Sequence, residues 1–178
     1  MNLVERVKGI LLAPQAEWLE IERETGEPSY LFANYVAILA AVPAVAMLIG
    51  YSISGFGIGR ALILAIFSYL VSCGAWYVGA LIIDGLAPTF GGVKNFQQAL
   101  KLSAYASTAV WLAGIFNLIP PLSFLSILGL YSIYLLWLGL PPLMKCPPDK
   151  ATPYTAAVFA IVFVILIIIA VILGRIVM

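Results

Sequence analysis

The chain has 178 residues, of which 63% are hydrophobic and 10% charged; it carries no histidine and a formal net charge of +1. With a mean hydropathy of +1.09, this composition excludes an ordinary water-soluble domain and suits a chain dissolved in bilayer. The charge leaves no basic footprint for nucleic acid. The missing histidine removes the commonest general base, the commonest metal ligand and every histidine-containing triad.

The chain opens on "MNLVERVKGILLAP", where Leu3, Val7, Ile10 and Leu11 recur at helical spacing with Glu5 and Lys8 available to the other side. That pattern predicts a short helix lying in the membrane interface. Because Glu5, Arg6 and Lys8 interrupt the apolar residues before Pro14, no cleavable signal peptide is expected. "QAEWLEIERETGEP" predicts a second helix, with Trp18 and Ile21 turned to the boundary and Gly26 and Pro28 as its stop. Glu17, Glu20 and Glu24 form a stripe on this helix. One helix rarely supplies the converging oxygens a divalent cation needs, so the stripe is expected to be a solvated face pointing to water or a protein.

Uncharged tracts of 32, 23, 43 and 24 residues follow, bounded by Glu27–Arg60, Arg60–Asp84, Lys101–Lys145 and Lys150–Arg175. A spanning helix needs about 20 apolar residues, so the longest tract holds two, turned at "NLIPPLS". The expectation is an all-α integral membrane protein with five transmembrane helices at about 30–52, 61–83, 96–118, 122–143 and 154–174, preceded by an amphipathic cytoplasmic head at 1–29. The membrane domain is 30–178. No period-two alternation supports a β-barrel. Seven basic residues (Arg6, Lys8, Arg23, Lys94, Lys101, Lys145, Lys150) fall on one predicted side and two (Arg60, Arg175) on the other. The positive-inside rule then places the N-terminus in the cytoplasm and the C-terminus outside.

Between the second and third spans, "IIDGLAPTFGGVKNFQQALKLSAY" breaks the apolar pattern. Gly85, Pro88, Gly91 and Gly92 predict a hinge. Lys94, Gln98, Lys101, Tyr105 and Thr108 then follow at intervals of four, three, four and three, forming a polar stripe that should face other helices or an aqueous recess rather than lipid. Asp84 is expected to pair with Lys101, or with Lys94; the alternative is that Lys101 snorkels and Asp84 caps the loop.

Ser68 and Ser72, like Ala75 and Gly79, are spaced for close packing of the second span. Tyr131, Tyr134 and Trp137 on the fourth span read as packing or interface anchors, or as the wall of a lipid or ligand groove. The fifth span has almost no polar group and is expected at the periphery. "GLPPLMKCPPDKATPYT" closes the fourth span beside the hinge, with Lys145 and Lys150 expected as ordinary positive-inside anchors; contact with lipid phosphates is the alternative. Cys73 and Cys146 support neither a disulfide framework nor a metal site, and "GFGIGR" at 55–60 follows no strand, so it is no phosphate loop. Neither a catalytic constellation nor a cofactor site can be assembled.

The five spans, "RVKGILLAPQAEWLEI" before the first and "YSIYLLWLGLPPLMKCPPDKATPYT" before the last resemble prokaryotic members of the Yip family. Its eukaryotic founders are Ypt-interacting proteins, membrane partners of Rab-type GTPases in the early secretory pathway. The resemblance covers nearly the whole chain and implies the five-span fold. "DGLAP" at 84–88 echoes the family's acidic and glycine-proline motif. The head is much shorter than the hydrophilic regions that eukaryotic members use for GTPase contacts, so the fold carries over rather than Rab binding. The functional expectation is a non-enzymatic scaffold of the prokaryotic cytoplasmic (inner) membrane, with membrane lipids, a protein at the cytoplasmic face and a second copy of the chain as the partners to test. The alternative is a small-solute or ion transporter or channel whose path is the stripe of the third span.

Overall fold

In hydrocarbon a single segment can satisfy its backbone polar groups only as a helix, and these apolar tracts take that solution throughout. The computed structural model describes residues 2–25 and 27–177, without the side chains of Ala170 and residues 172–177. Gly26, the expected stop, and the side chain of Arg175 therefore lie outside the described residues. Two short helices come first: α1 (Leu3–Leu12), with Asn2 accepting a hydrogen bond from the Val4 amide, and α2 (Pro14–Arg23), with proline in its first turn. Five helical segments long and apolar enough to span a bilayer follow. They are α3 (Pro28–Ile53), α4 (Ile58–Phe90), α5 (Phe96–Leu118), α6 (Pro120–Met144) and α7 (Pro148–Val177).

The five expected spans are all present, most of them longer than their apolar cores. The largest difference is at the hinge. The α-helix continues through Asp84 and Gly85 to Leu86, and a 3-10 turn with Pro88 carries it to Phe90. A single glycine weakens a helix without ending it; the break comes at Gly91, whose left-handed φ of +73° favours a residue without Cβ. The Val93 amide then donates to the Met144 carbonyl at 2.8 Å, fastening the hinge to the end of α6.

The third span organises the bundle. It has the lowest mean hydropathy of the five, 1.3, yet 72% of its most apolar stretch is buried, against 17–33% for the others. A helix largely screened from lipid need not be greasy. Its N-terminus is capped by Asn95, which accepts from the Gln98 amide at 3.2 Å. It runs antiparallel to α4 through a reciprocal pair: Trp76 Nε1 donates to the Leu100 carbonyl at 3.0 Å, and Ser103 Oγ donates to the Trp76 carbonyl at 2.7 Å. At its far end Gly114 lies so close to α3 that an added Cβ would fall 3.1 Å from Pro43 Cα. The far half of α6 (Pro120–Leu130) is wound as 3-10 helix before α-helical geometry resumes at Tyr131. Beyond Val158 most described side chains of α7 are exposed, as expected for a peripheral span.

The head is packed into the protein. Ile10, Trp18 and Ile21 are fully buried and share one core cluster with Tyr35, Leu102, Leu135 and Leu140. This corrects the expectation that the apolar face of α1 and α2 lies in the membrane interface: amphipathic periodicity says that a face is buried, not against what.

Candidate functional site

The polar stripe and the head meet, and each completes the other. The last carbonyls of a helix have no intrahelical donors. At the end of α2 those donors come from α5, some 76 to 80 residues away in sequence. Lys101 Nζ donates to the Ile21 carbonyl at 3.0 Å and to the Glu24 carbonyl, while Gln98 Nε2 donates to the Glu22 carbonyl at 3.0 Å. Gln98 Oε1 accepts a further hydrogen bond from Lys101 Nζ at 3.4 Å. A cation at a helix C-terminus also matches the helix dipole. Lys101 is only 6% exposed, so these carbonyls replace the water that its ammonium gives up.

One turn deeper, Tyr105 lies between the two parts. Trp18 of the head stands edge-on to it at 6.4 Å between ring centroids, and Tyr35 of α3 at 4.7 Å. The Arg6 guanidinium sits over the Tyr105 ring, 5.5 Å from its centroid. Thr108 Oγ1 donates to the Tyr105 carbonyl at 2.7 Å; having one proton, it must accept from Tyr35 Oη at 2.6 Å. Tyr35 lies in a π-helical turn (Phe32–Val36). Arg6 bonds Glu17 Oε1 at 2.6 Å and Glu24 Oε1, tying α1 to α2. On the α6 side, Trp18 presses on Gly139, where a Cβ would meet its ring at 2.8 Å. Tyr131 donates to the Leu11 carbonyl at 3.1 Å, and Lys145 pairs with Glu22.

Several expectations are corrected here. Asp84 forms no ion pair with Lys101 or Lys94 among the described residues, and its Oδ1 is buried without a hydrogen-bond partner there. The register gives a reason: Trp76 and Gly79 meet Leu100 and Ser103, so Asp84, further along the antiparallel α4, lies towards the start of α5 rather than level with Lys101. Lys101 does not snorkel either. Of the acidic stripe only Glu20 remains outward, 68% exposed beside Arg23; Glu17 and Glu24 are drawn to Arg6. Lys145 takes Glu22 as its partner. Its backbone is left-handed, with φ of 55°, ending α6.

The stripe's inward direction holds from Gln98 to Thr108, whereas Lys94 is exposed. Tyr134 stacks on Trp137 at 6.0 Å, and both are exposed. Arg6, Glu22, Tyr35 and Gly139 escaped the sequence reading. Arg6 alone carried a signal, since it lies on the Leu3–Ile10 face where a cation needs an internal partner. No group of three or more metal-ligating side chains occurs among the described residues.

Five helical spans around a polar-striped centre, with an N-terminal head capped by that stripe, define a polytopic α-helical membrane protein. Residues 8–169 match the Yip1 domain, and the chain belongs to that family. The match begins inside α1, so α2 and its cap lie within the family's domain. The chain is similar to Inner membrane protein YohC of Escherichia coli strain K12, 24% identical over 172 residues that cover 89% of this chain and 88% of YohC. The same values hold for YohC of Escherichia coli O6:H1 strain CFT073. No solved structure matches.

Proposed function

We propose that this protein is a non-enzymatic scaffold of the cytoplasmic (inner) membrane, with its N-terminus cytoplasmic and its C-terminus outside. The head presents a fixed outer surface for a cytoplasmic protein. The observation that carries this reading is the use of the third-span stripe to cap α2, with Lys101 Nζ 3.0 Å from the Ile21 carbonyl. A stripe spent on holding the head gives a scaffold its rigid platform, and it offers no support to a solute path through α5. The membrane assignment draws on the five spans and on the name of the YohC relatives. The orientation draws on the head, Lys94 and Lys145 lying together at one end, as the contacts of Gln98, Lys145 and Val93 place them.

The surface left for a partner comprises Glu5, Lys8, Leu12, Leu19, Glu20 and Arg23, all exposed. Purification in mild detergent should retain a cytoplasmic protein, and Glu5→Lys with Glu20→Lys should release it while the head stays docked. Solute flux in proteoliposomes that depends on Tyr105 would sink the scaffold reading.

A further inference from the structure

A large cavity lies away from the head, at the level of the spans, between α4, α5, α6 and α7, with Pro43 of α3 at its edge. Its volume is about 560 Å³. Its walls include Ala75, Trp76, Trp111, Leu136, Val158 and Val162, and no lining residue is charged.

The polar side chains in the wall are largely committed elsewhere. The hydroxyls of Ser103, Ser107 and Ser126 donate to the carbonyls of Trp76, Ser103 and Ala113, at 2.7, 2.7 and 3.4 Å. Asn117 Nδ2 donates to the Gly114 carbonyl at 3.0 Å, Ser132 Oγ accepts from the Val110 amide at 3.1 Å, and Trp76 Nε1 is used on Leu100. A polar solute or a water chain would find few partners and would lose hydration on entry. A saturated or unsaturated hydrocarbon tail has no such requirement.

Size selects further. Along α4 the lining runs from Val71 to Ile83, about 18 Å at the helical rise per residue. One leaflet of the hydrocarbon core is about 15 Å deep. The cavity is therefore as long as a lipid tail is deep, and it sits beside the lipids that would supply one. We infer that it holds one acyl chain of a bilayer phospholipid, entering laterally between the spans. The inference does not rest on the scaffold reading, which concerns the opposite side of α5.

Trp76 and Trp111 report on this directly. They line the cavity but are only 7% and 4% exposed, whereas Trp137 on the outside of α6 is 38% exposed. Variants keeping Trp111 or Trp137 alone, with the other tryptophans changed to Phe, would be reconstituted in phosphatidylcholine brominated along its acyl chains. An occupied cavity quenches Trp111 at least as strongly as Trp137, despite its burial. Adding Ala75→Phe should cut Trp111 quenching several-fold and leave Trp137 unchanged, while lipid-facing Ile63→Phe should alter neither. Trp111 quenching that stays weak in the unblocked protein, or that Ala75→Phe leaves intact, overturns the proposal. Mass spectrometry of the unmutated protein released from mild detergent gives a second reading that does not depend on any variant folding. Phospholipid retained in stoichiometric amount supports the site, and complete delipidation without it overturns the site.

Discussion

Lys101 decides how the head is held. Replacing it by methionine keeps the stem but removes the donor from the Ile21 and Glu24 carbonyls. The expected loss is about 1–3 kcal/mol, since buried acceptors are left unmatched. Thermal unfolding in detergent, followed through Trp18 fluorescence, measures it. Asp84→Asn should combine additively with Lys101→Met, because the two groups share no bond; a coupling energy would restore the pair expected from sequence. Arg6→Met and Glu24→Gln should instead couple by about 1 kcal/mol, tempered because Glu24 is 37% exposed. Burial pushes the Cys146 thiol above its ordinary range. The neutral thiol is the form the fold accepts, so its contribution is complete below the ordinary thiol pKa and is lost as pH rises through the elevated one. The advantage of the native protein over Cys146→Ala should shrink in alkaline melts. These residues also show where sequence reading stops. The inward direction of Gln98, Lys101, Tyr105 and Thr108 was legible, because a polar stripe on a spanning helix cannot face lipid. Their partners were not, since a contact with a backbone carbonyl 80 positions away leaves no pattern in residue types.

At the scale of elements, the spans were legible because the bilayer fixes their length and apolarity, and their ends were less so. Gly85 looked like a breaker, yet the helix ran on to a left-handed Gly91. The apolar face of α1 and α2 was assigned to lipid for a different reason: such a face fits lipid and protein equally well, and only tertiary structure supplied Gly139 as the seat for Trp18. Gly139→Leu removes that seat, since even a Cβ would fall 2.8 Å from the indole. The head should then detach as a unit, with faster amide exchange across 3–23 and near-native exchange in α4 and α5. The exposed Gly59, with open space where its Cβ would stand, is the matched control: Gly59→Leu should leave head protection unchanged.

For the whole molecule, the head, the hinge at 91–95 and the turn at Lys145 share one end, with Phe56 in the turn between α3 and α4. In a background lacking Cys73 and Cys146, Lys94→Cys should label only from the cytoplasm and Phe56→Cys only from outside. Labelling of both from one side would overturn the proposed orientation.

The long-range cap on α2 also sets an order of events during synthesis. The head leaves the ribosome first, but Lys101 and Gly139, which receive it, come much later. Between Ile21 and Gly139 the ribosome needs roughly 6–24 s at about 5–20 residues per second. Until then Ile10, Trp18 and Ile21 lack the α6 residues that complete their cover in the finished protein, and the adjacent lipid surface is an apolar phase within reach. The docked helix is thus a property of the finished chain. In a membrane-inserted chain truncated after Gly92, trypsin should cut at Arg6. In the complete protein, where Arg6 is 9% exposed, that bond should survive, so the closing of the head marks the completion of the bundle beneath it.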